Sequence, residues 1–574
     1  MPSISSPATL AMAFRMALRP RLGGLVTKAA RQPAIISPCG PRHQHTLPDW
    51  RPLPKPGDKV FLAMSGGVDS SVTALLLTKL SDQYTTSSLR PLTLLPIYMR
   101  NWSTLEESDR FEPGSGGAAG CEWQREWESV QDVCRALQLE KEPQLVDLSR
   151  EYWASVFEPS LDVWQRGNTP NPDVLCNREI KFGALVRRLI GSEQGREGGE
   201  ELEVGASRAS PQTWIATGHY ARVAHDASTG ETQLHRARHR GKDQSYFLSS
   251  VPSTALSRAL FPLAGLTKPE VRDLAKRYGL PTAAKKESMG LCFVGKRATR
   301  VPAVVDDGGP SSLVGPPSAA VHPSLTSAAP TFGGWLSGYL PPSTPYTRPG
   351  PILAAADGAS SLTPIGTHEG LHTLTIGQRA KLPGLKQRWF VAAKRVRMLT
   401  EPSESEEAVG VGEAIVVPGN DHPLLQCVHV EVPSSSFQWV SASGPPSELA
   451  EAGAGPDLGV PLLAQLRHRS PEVPCRVSLR RSRMSTSGPL LRITFDVDAD
   501  GRRPTAVCPG QTLALYDGQR CLGSVVVPGP GDGNGEAVAV GAGGVKTVAE
   551  LQQSVGDAEE QTVAKTLLQG QSPV

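Results

Sequence analysis

The segment Met64-Ser65-Gly66-Gly67-Val68-Asp69-Ser70-Ser71 constrains this chain more than any other. It joins an apolar strand candidate, Lys59–Ala63, to an apolar helix candidate, 72–80, through a Ser-Gly-Gly turn. Two glycines let the backbone approach an anion closely, and the following helix points its N–H groups and the positive end of its dipole at the same place. Ser65, Ser70 and Ser71 add hydroxyls, so the loop reads as a pyrophosphate cradle in which Asp69 is free to serve a magnesium ion. The Gly-x-x-x-x-Gly-Lys-Ser/Thr spacing of a Walker A loop is absent. An ordinary Gly-Gly turn is the plain alternative, but it does not call for Ser, Gly, Gly, Asp and Ser together.

A chain of 574 residues exceeds a single core, which predicts two or three domains with solvated material between them. The formal charge of +3 is close to neutral, so a nucleic-acid partner has to be argued from local patches. The nine cysteines include no C-x-x-C pair, which argues against a zinc ribbon and a dense disulfide framework and for a reducing compartment. Arg15, Arg19, Arg21, Lys28, Arg31 and Arg42 precede the first acidic residue, Asp49, the composition of a mitochondrial transit peptide cleaved before about Trp50. No apolar run approaches the ~18 residues of a membrane-spanning helix.

Strand-like runs at Lys59–Ala63, 92–98, Gln144–Asp147 and Thr213–Thr217 alternate with helical stretches. One of these carries Trp127, Val130, Val133, Cys134 and Leu137 on a single face. This predicts a doubly wound α/β domain. Ligands of such sheets sit at the carboxyl ends of the strands, so Ser65, Met99 and Gly218-His219 are expected to converge on one nucleotide. Segments 191–212, 301–329 and 528–534 have too little apolar content to fold alone. Past about residue 400, short runs at 414–417, 427–432, 475–479, 491–495, 513–516 and 524–527 predict a small β-barrel, and the tail from Ala537 is helix-compatible.

A second motif is Thr169-Pro170-Asn171-Pro172-Asp173-Val174-Leu175-Cys176-Asn177-Arg178-Glu179-Ile180-Lys181-Phe182. Two prolines fix an extended approach, Asp173 can cap the helix that follows, and Cys176 falls in its first turn, where a thiol tends toward thiolate. A third, Lys285-Lys286-Glu287-Ser288-Met289-Gly290-Leu291-Cys292-Phe293-Val294-Gly295, places Cys292 in a short apolar run between glycines. One such cysteine is more often core than catalyst. Two of them beside a pyrophosphate cradle point to sulfur chemistry.

These motifs, with 98–102, 216–220, 242–248, 366–379, Pro509-Gly510-Gln511 and Cys521-Leu522-Gly523, resemble those of the tRNA-specific 2-thiouridylase family over about residues 60–527. The loop itself resembles the PP-loop of enzymes that split ATP into AMP and pyrophosphate. The resemblance implies ATP with Mg2+ at Ala63, Met64, Ser65, Gly66, Gly67, Val68, Asp69, Ser70, Met99 and Gly218. It implies a persulfide on Cys292, Cys176 as its partner in a transient disulfide, and Asp173 as a proton-transfer group. Asn171, Pro172, Asp173, His219, Lys242, Asp243, Gln244 and Gln511 match tRNA-contacting positions, and Arg467-His468 stands where the family has Arg-Tyr. The implied partners are tRNAs for Lys, Glu and Gln, and a cysteine desulfurase or sulfur-relay protein as donor, in the mitochondrial matrix.

The expected organisation is a leader at 1–50, a PP-loop catalytic domain at 51–297, an insertion at 298–331, a central tRNA-binding domain at 332–400, a β-barrel at 401–528 and a disordered tail at 529–574. The basic residues Arg236, Arg238, Arg240 and Lys242, and later Arg467, Arg469, Arg476, Arg480 and Arg481, are candidate phosphate contacts or simply solvated faces. Two other readings stay open: another PP-loop adenylating ligase or amidotransferase, which needs no paired cysteines, and a catalytically silent tRNA-binding protein, which needs no intact loop.

Overall fold

A computed structural model of the chain describes residues 52–102, 122–194, 211–286, 332–342, 344–355, 362–398, 410–451, 459–480, 488–529, 536–541 and 544–547. The leader, the 287–295 motif with Cys292, the 301–329 insertion and most of 191–212 lie outside the described residues.

The first sheet is built from β1 (Lys59–Ala63), β2 (Thr93–Arg100), β3 (Gln144–Asp147), β4 (Thr213–Thr217) and the two-residue strand Ala259–Leu260. Its order is β3-β2-β1-β4 followed by Ala259–Leu260, and every pairing is parallel. Strand alternation sends Val60 and Leu62 to one face, against Leu77 of α1 (Val68–Thr86) and Val130 and Val133 of α2 (Glu122–Ala136). Phe61 and Ala63 point to the other face, against Tyr152, Phe157 and Cys176. A continuous apolar strand is therefore required, since both faces are covered. The chain leaves β1 toward β2 and β3, then returns to the other side with β4, so the order reverses between β1 and β4. That switch point is where such sheets take a ligand.

The second sheet contains Gly350–Ala354, Thr363–His368, Arg379–Ala380, Trp389–Met398 and Gly410–Pro418 around Ile352, Leu371, Val391, Ala414 and Val416. Here the sequence reading is corrected. The run 414–417, assigned to the C-terminal barrel, pairs instead with Trp389–Met398 and Gly350–Ala354, so the change of domain falls past Pro418 and not near 400. Nothing in the alternation of a single strand says which sheet will accept it.

The third, antiparallel sheet runs Cys427–Pro433, Leu490–Phe495, Val473–Arg480, Val460–Gln465, Thr512–Asp517 and Arg520–Val526, over a core that includes Val430, Val477, Ile493, Phe495, Leu513 and Leu515. Glu536–Gly541 pairs with Cys427–Pro433 and with Gly544–Thr547, so part of the tail expected to be helix-compatible or disordered is strand. A hairpin of the first domain, Ala221–His225 and Thr232–Arg236, joins the opposite end through Arg520–Val526.

That junction is pinned by a buried ion pair. Arg236 Nη1 lies 3.0 Å from Asp243 Oδ2 and 2.9 Å from Gln465 Oε1, Nη2 lies 3.1 Å from Glu472, and the guanidinium sits 3.4 Å over the Tyr516 ring. Asp243 also accepts from Ala237 N and Ser245 Oγ. Removing one partner strands a buried charge. Arg236→Leu is expected to cost about 3–5 kcal/mol of stability, read as a lower midpoint in denaturant unfolding.

Candidate functional site

α1 begins four residues before the apolar run suggested, at Val68, which puts Asp69, Ser70 and Ser71 in its first turn. Its N-cap is Gly67, and no side chain caps the first N–H groups, the condition under which a helix start accepts an anion. Gly66 takes φ +67°, and a Cβ there would meet the Glu126 carbonyl oxygen at 2.5 Å. At Gly218, just past β4, a Cβ would come 2.9 Å from Ser70 N and 3.0 Å from Asp69 C. The two loops thus approach each other across the switch point, as expected. The serine hydroxyls brace the turn: Ser70 and Ser71 donate to Gly67 O at 3.1 and 2.8 Å, and Ser70 Oγ accepts from Ser65 N at 3.2 Å. Met99, expected just past the second strand, lies inside β2, one residue from its end, and is partly buried against the cluster that holds Ala63 and Ile97.

Asp69 is not free, which corrects the sequence reading. Lys268 Nζ donates to both its carboxylate oxygens at 2.7 Å, and the Tyr220 hydroxyl donates to Oδ1 at 2.9 Å. Lys285 Nζ reaches Gly66 O at 2.9 Å and Ser129 Oγ at 3.0 Å. Cations therefore flank the loop on two sides. Sequence reasoning missed Lys268, although a signal existed. It opens the Lys268–Arg277 helix inside a Thr267/Glu270 capping box, where a cation faces the unfavourable end of the dipole. A lysine kept there needs a counter-charge, and Asp69 is it.

Among the described residues no group of three or more His, Cys, Asp or Glu gathers to hold a metal. One carboxylate beside a phosphate cradle nevertheless suits magnesium, which is held largely by phosphates and water with one or two protein carboxylates.

Cys176 enters from a different direction. Asn171 caps the short Pro172–Leu175 helix by accepting from Val174 N at 3.4 Å; Asp173, expected to cap, lies instead inside its first turn. Cys176 opens a nine-residue π-helix, Cys176–Ala184, a geometry frequent at functional sites. The thiol is buried in the same cluster as Ala63, Ile97 and Ile215 of β1, β2 and β4, against which Met99 packs. Desolvation pushes the Asp173 carboxyl up from 3.8 to about 6, against the opposing charge of Lys181. His219 is buried against Phe182 and Phe261, bonded to Thr217 Oγ1 at 2.7 Å, and held well below its usual pKa by burial and by Lys181.

The raised carboxyl pKa gives a stability prediction. Between about pH 4 and 6 the folded chain holds a proton on Asp173 that the unfolded chain has lost, so stability from this group falls as pH rises through that window. Asp173→Asn is expected to remove that slope and to raise the unfolding midpoint at pH 7 more than at pH 4, measured by denaturant titration at both.

The loop before Cys176 is gripped by residues of the second and third parts of the molecule. Gln511 Nε2 donates to Thr169 O and Pro170 O at 2.9 and 2.8 Å, Thr169 N donates to Pro509 O, and Thr169 Oγ1 lies 3.2 Å from Thr375 Oγ1. Lys394 Nζ donates to Gly167 O at 2.6 Å, and burial lowers its pKa to about 8. Several RNA-contact candidates are spent internally here. Gln244 Oε1 accepts from Tyr220 N at 2.9 Å, Asp243 holds Arg236, Pro172 is buried, and His468 packs 4.3 Å from Phe247. Arg467 is exposed and Lys242 half-buried. Asn171 Nδ2 donates to Tyr246 OH at 3.3 Å.

Comparison with known proteins follows the same three-part division. Residues 58–296 match the tRNA methyl transferase HUP domain family, 338–399 the tRNA methyl transferase PRC-barrel domain family, and 452–527 the aminomethyltransferase β-barrel domain family. The chain is 32% identical over 484 residues to mitochondrial tRNA-specific 2-thiouridylase 1 of Saccharomyces cerevisiae, covering 83% of this chain and 93% of that protein. It is 33% identical over 477 residues to tRNA-specific 2-thiouridylase MnmA of Thiobacillus denitrificans, covering 82% and 99%. MnmA of Chlamydia pneumoniae is 32% identical over 473 residues, covering 82% and 97%.

Proposed function

The chain belongs to the tRNA-specific 2-thiouridylase family, and from that premise we propose that it uses ATP to exchange O2 of the wobble uridine of tRNA for sulfur. An amide-like oxygen is a poor leaving group, and adenylation converts it into AMP, a good one. The uridine O2 attacks the α-phosphate and pyrophosphate departs. The terminal sulfur of a persulfide on Cys292 then attacks C2 and AMP leaves. Cys176 attacks the Cys292 sulfur, releasing 2-thiouridine and leaving a Cys176–Cys292 disulfide to be reduced before the next cycle. That disulfide needs Cα atoms within about 7 Å.

The residues divide the work. Gly66, Gly67 and the uncapped start of α1 receive the phosphates, Gly218 closes against Ser70, and Lys268 and Lys285 offset phosphate charge. Mg2+, held by the phosphates and by Asp69 once that carboxylate exchanges Lys268 for the metal, would supply charge neutralisation at the departing pyrophosphate. Asp173 moves a proton at the uridine, so the rate should rise as pH passes about 6. The observation that carries the reading is the burial of Cys176 in the core cluster that also holds Ala63, Ile97 and Ile215 of the sheet bearing the phosphate loop.

Around that centre we place the tRNA body on the second and third sheets, with Asn171, Lys242, Arg467 and Gln511 nearest it and His219, Asp243, Gln244, His468 and Pro172 acting behind them. The working limits are 51–297 for the catalytic part, 332–418 for the middle part and 419–528 for the barrel. The substrates are the Lys, Glu and Gln tRNAs, the donor is a cysteine desulfurase or relay protein, and the leader directs the chain to the mitochondrial matrix. The experiment is release of labelled AMP from ATP by the purified chain, with and without tRNA. Release that requires tRNA supports the reading; release unaffected by tRNA assigns the loop to another adenylating ligase.

A further inference from the structure

Beside the Cys176 turn the first and third parts of the molecule border an open cavity of about 410 Å³. Val163 and Val174 wall it on one side, and Val432 and Val525 on the other. The cavity is distinct from the phosphate cradle: Val174 packs with Phe182, Tyr246 and Tyr516, whereas Cys176 packs with the sheet. Arg166, which is exposed, stands at it, as does Arg178, whose Nε donates to Glu179 Oε1 at 2.6 Å and leaves its terminal nitrogens to face an anion. Ser250 lines it as well, 5% exposed, and its hydroxyl has no hydrogen-bond partner among the described residues. A buried unpaired hydroxyl is a standing cost to the fold, and such groups are few.

We propose that this cavity receives one unpaired nucleotide of the RNA substrate, a neighbour of the base being modified. The inference rests on the tRNA reading above. Its size falls in the range of small-molecule sites, apolar walls suit the faces of a base, two guanidiniums suit its phosphate, and the Ser250 hydroxyl supplies an unused polar contact. The wall includes Leu175, one residue before Cys176, so the occupant lies next in the strand to the uridine presented to that thiol. Unstacked loop bases are what sequence-selective RNA recognition ordinarily takes hold of. The cavity therefore selects among anticodon loops and holds the target base in register.

The test uses the full-length chain, intact tRNA and fixed salt. Ser436, exposed at the cavity, is changed to Trp to fill it, and Ser250→Ala removes the unpaired hydroxyl. Ser436→Trp is expected to weaken tRNA binding about tenfold, equivalent to one good contact. Ser250→Ala is expected to weaken it about three- to tenfold without lowering the thermal midpoint, because a merely structural serine would not separate the two readouts. Abasic replacement is then walked through the loop nucleotides beside the wobble position. One position should weaken binding to the parent chain but not to Ser436→Trp.

Unchanged tRNA affinity in both variants, with the parent binding normally, overturns the pocket and leaves the thiouridylase reading standing. Failure of the parent itself to bind tRNA overturns that reading instead. Binding of free UMP or AMP that Ser436→Trp abolishes, with tRNA affinity untouched, overturns the RNA assignment in favour of a free mononucleotide.

Discussion

Cys176→Ala is expected to lower the rate of wobble thiolation by about three orders of magnitude or more, as loss of a nucleophile does elsewhere. ATP-dependent release of pyrophosphate with tRNA should continue, because the thiol acts after adenylation. Sulfur should still load on Cys292 from a desulfurase but stay there, with no thiol to resolve it. Cys292→Ser should load no sulfur and still adenylate. The measurement is radiolabelled sulfur on protein and on tRNA for each variant. Alanine is the better probe at 176, since the site is buried and a serine hydroxyl placed there would carry its own desolvation cost. Cys134, Cys427 and Cys475 are also buried thiols in the cores of their own domains, and Cys508 and Cys521 are buried where domains meet; at all five desolvation raises the pKa and keeps the thiol inert. Alanine at any of these five should cost stability and not sulfur transfer.

Gly218→Ala is the second large effect. The new Cβ would press on Ser70 N and Asp69 C, backbone atoms in the first turn of α1, and backbone cannot yield as a side-chain tip can. The turn that presents N–H groups to phosphate must shift, and with it the Asp69–Lys268 pair. ATP affinity and pyrophosphate release should fall by about a hundredfold, the scale of effect expected when reacting groups are misplaced by an ångström. Gly241→Ala is the control, because a Cβ there meets only His239 Nε2 at 3.7 Å. Nucleotide affinity by calorimetry and the thermal midpoint separate a lost site from a lost fold. Equal affinity in the two glycine variants would remove Gly218 from the ATP site.

Much of this was legible in the residues because the constraints are local. A parallel strand buried on both faces must be continuously apolar, and Lys59–Ala63 and Thr213–Thr217 are found at the predicted limits. A Ser-Gly-Gly turn between strand and helix has few uses, and its neighbours at Gly218 and Met99 follow from the topology of such sheets. What stayed hidden depends on partners distant in sequence. Lys268 stands 199 positions from Asp69, and only the packing of its helix against α1 brings the charges together. The strand Gly410–Pro418 carries a short apolar run like its barrel neighbours, yet it finds its partners in the middle sheet. The hairpin Ala221–Arg236 belongs by sequence to the first domain and by hydrogen bonding to the third. The internal partners of Asp243, Gln244 and His468 stayed hidden for the same reason: polar or aromatic residues in a basic stretch look available until their packing is seen.

The most direct test of the central claim is nucleoside mass spectrometry of tRNA incubated with the purified chain, ATP, magnesium and a persulfide donor. The wobble uridine should gain the mass of oxygen-to-sulfur exchange, with one AMP released for each 2-thiouridine formed. AMP release with an unmodified wobble base, or thiolation that proceeds without ATP, would contradict it.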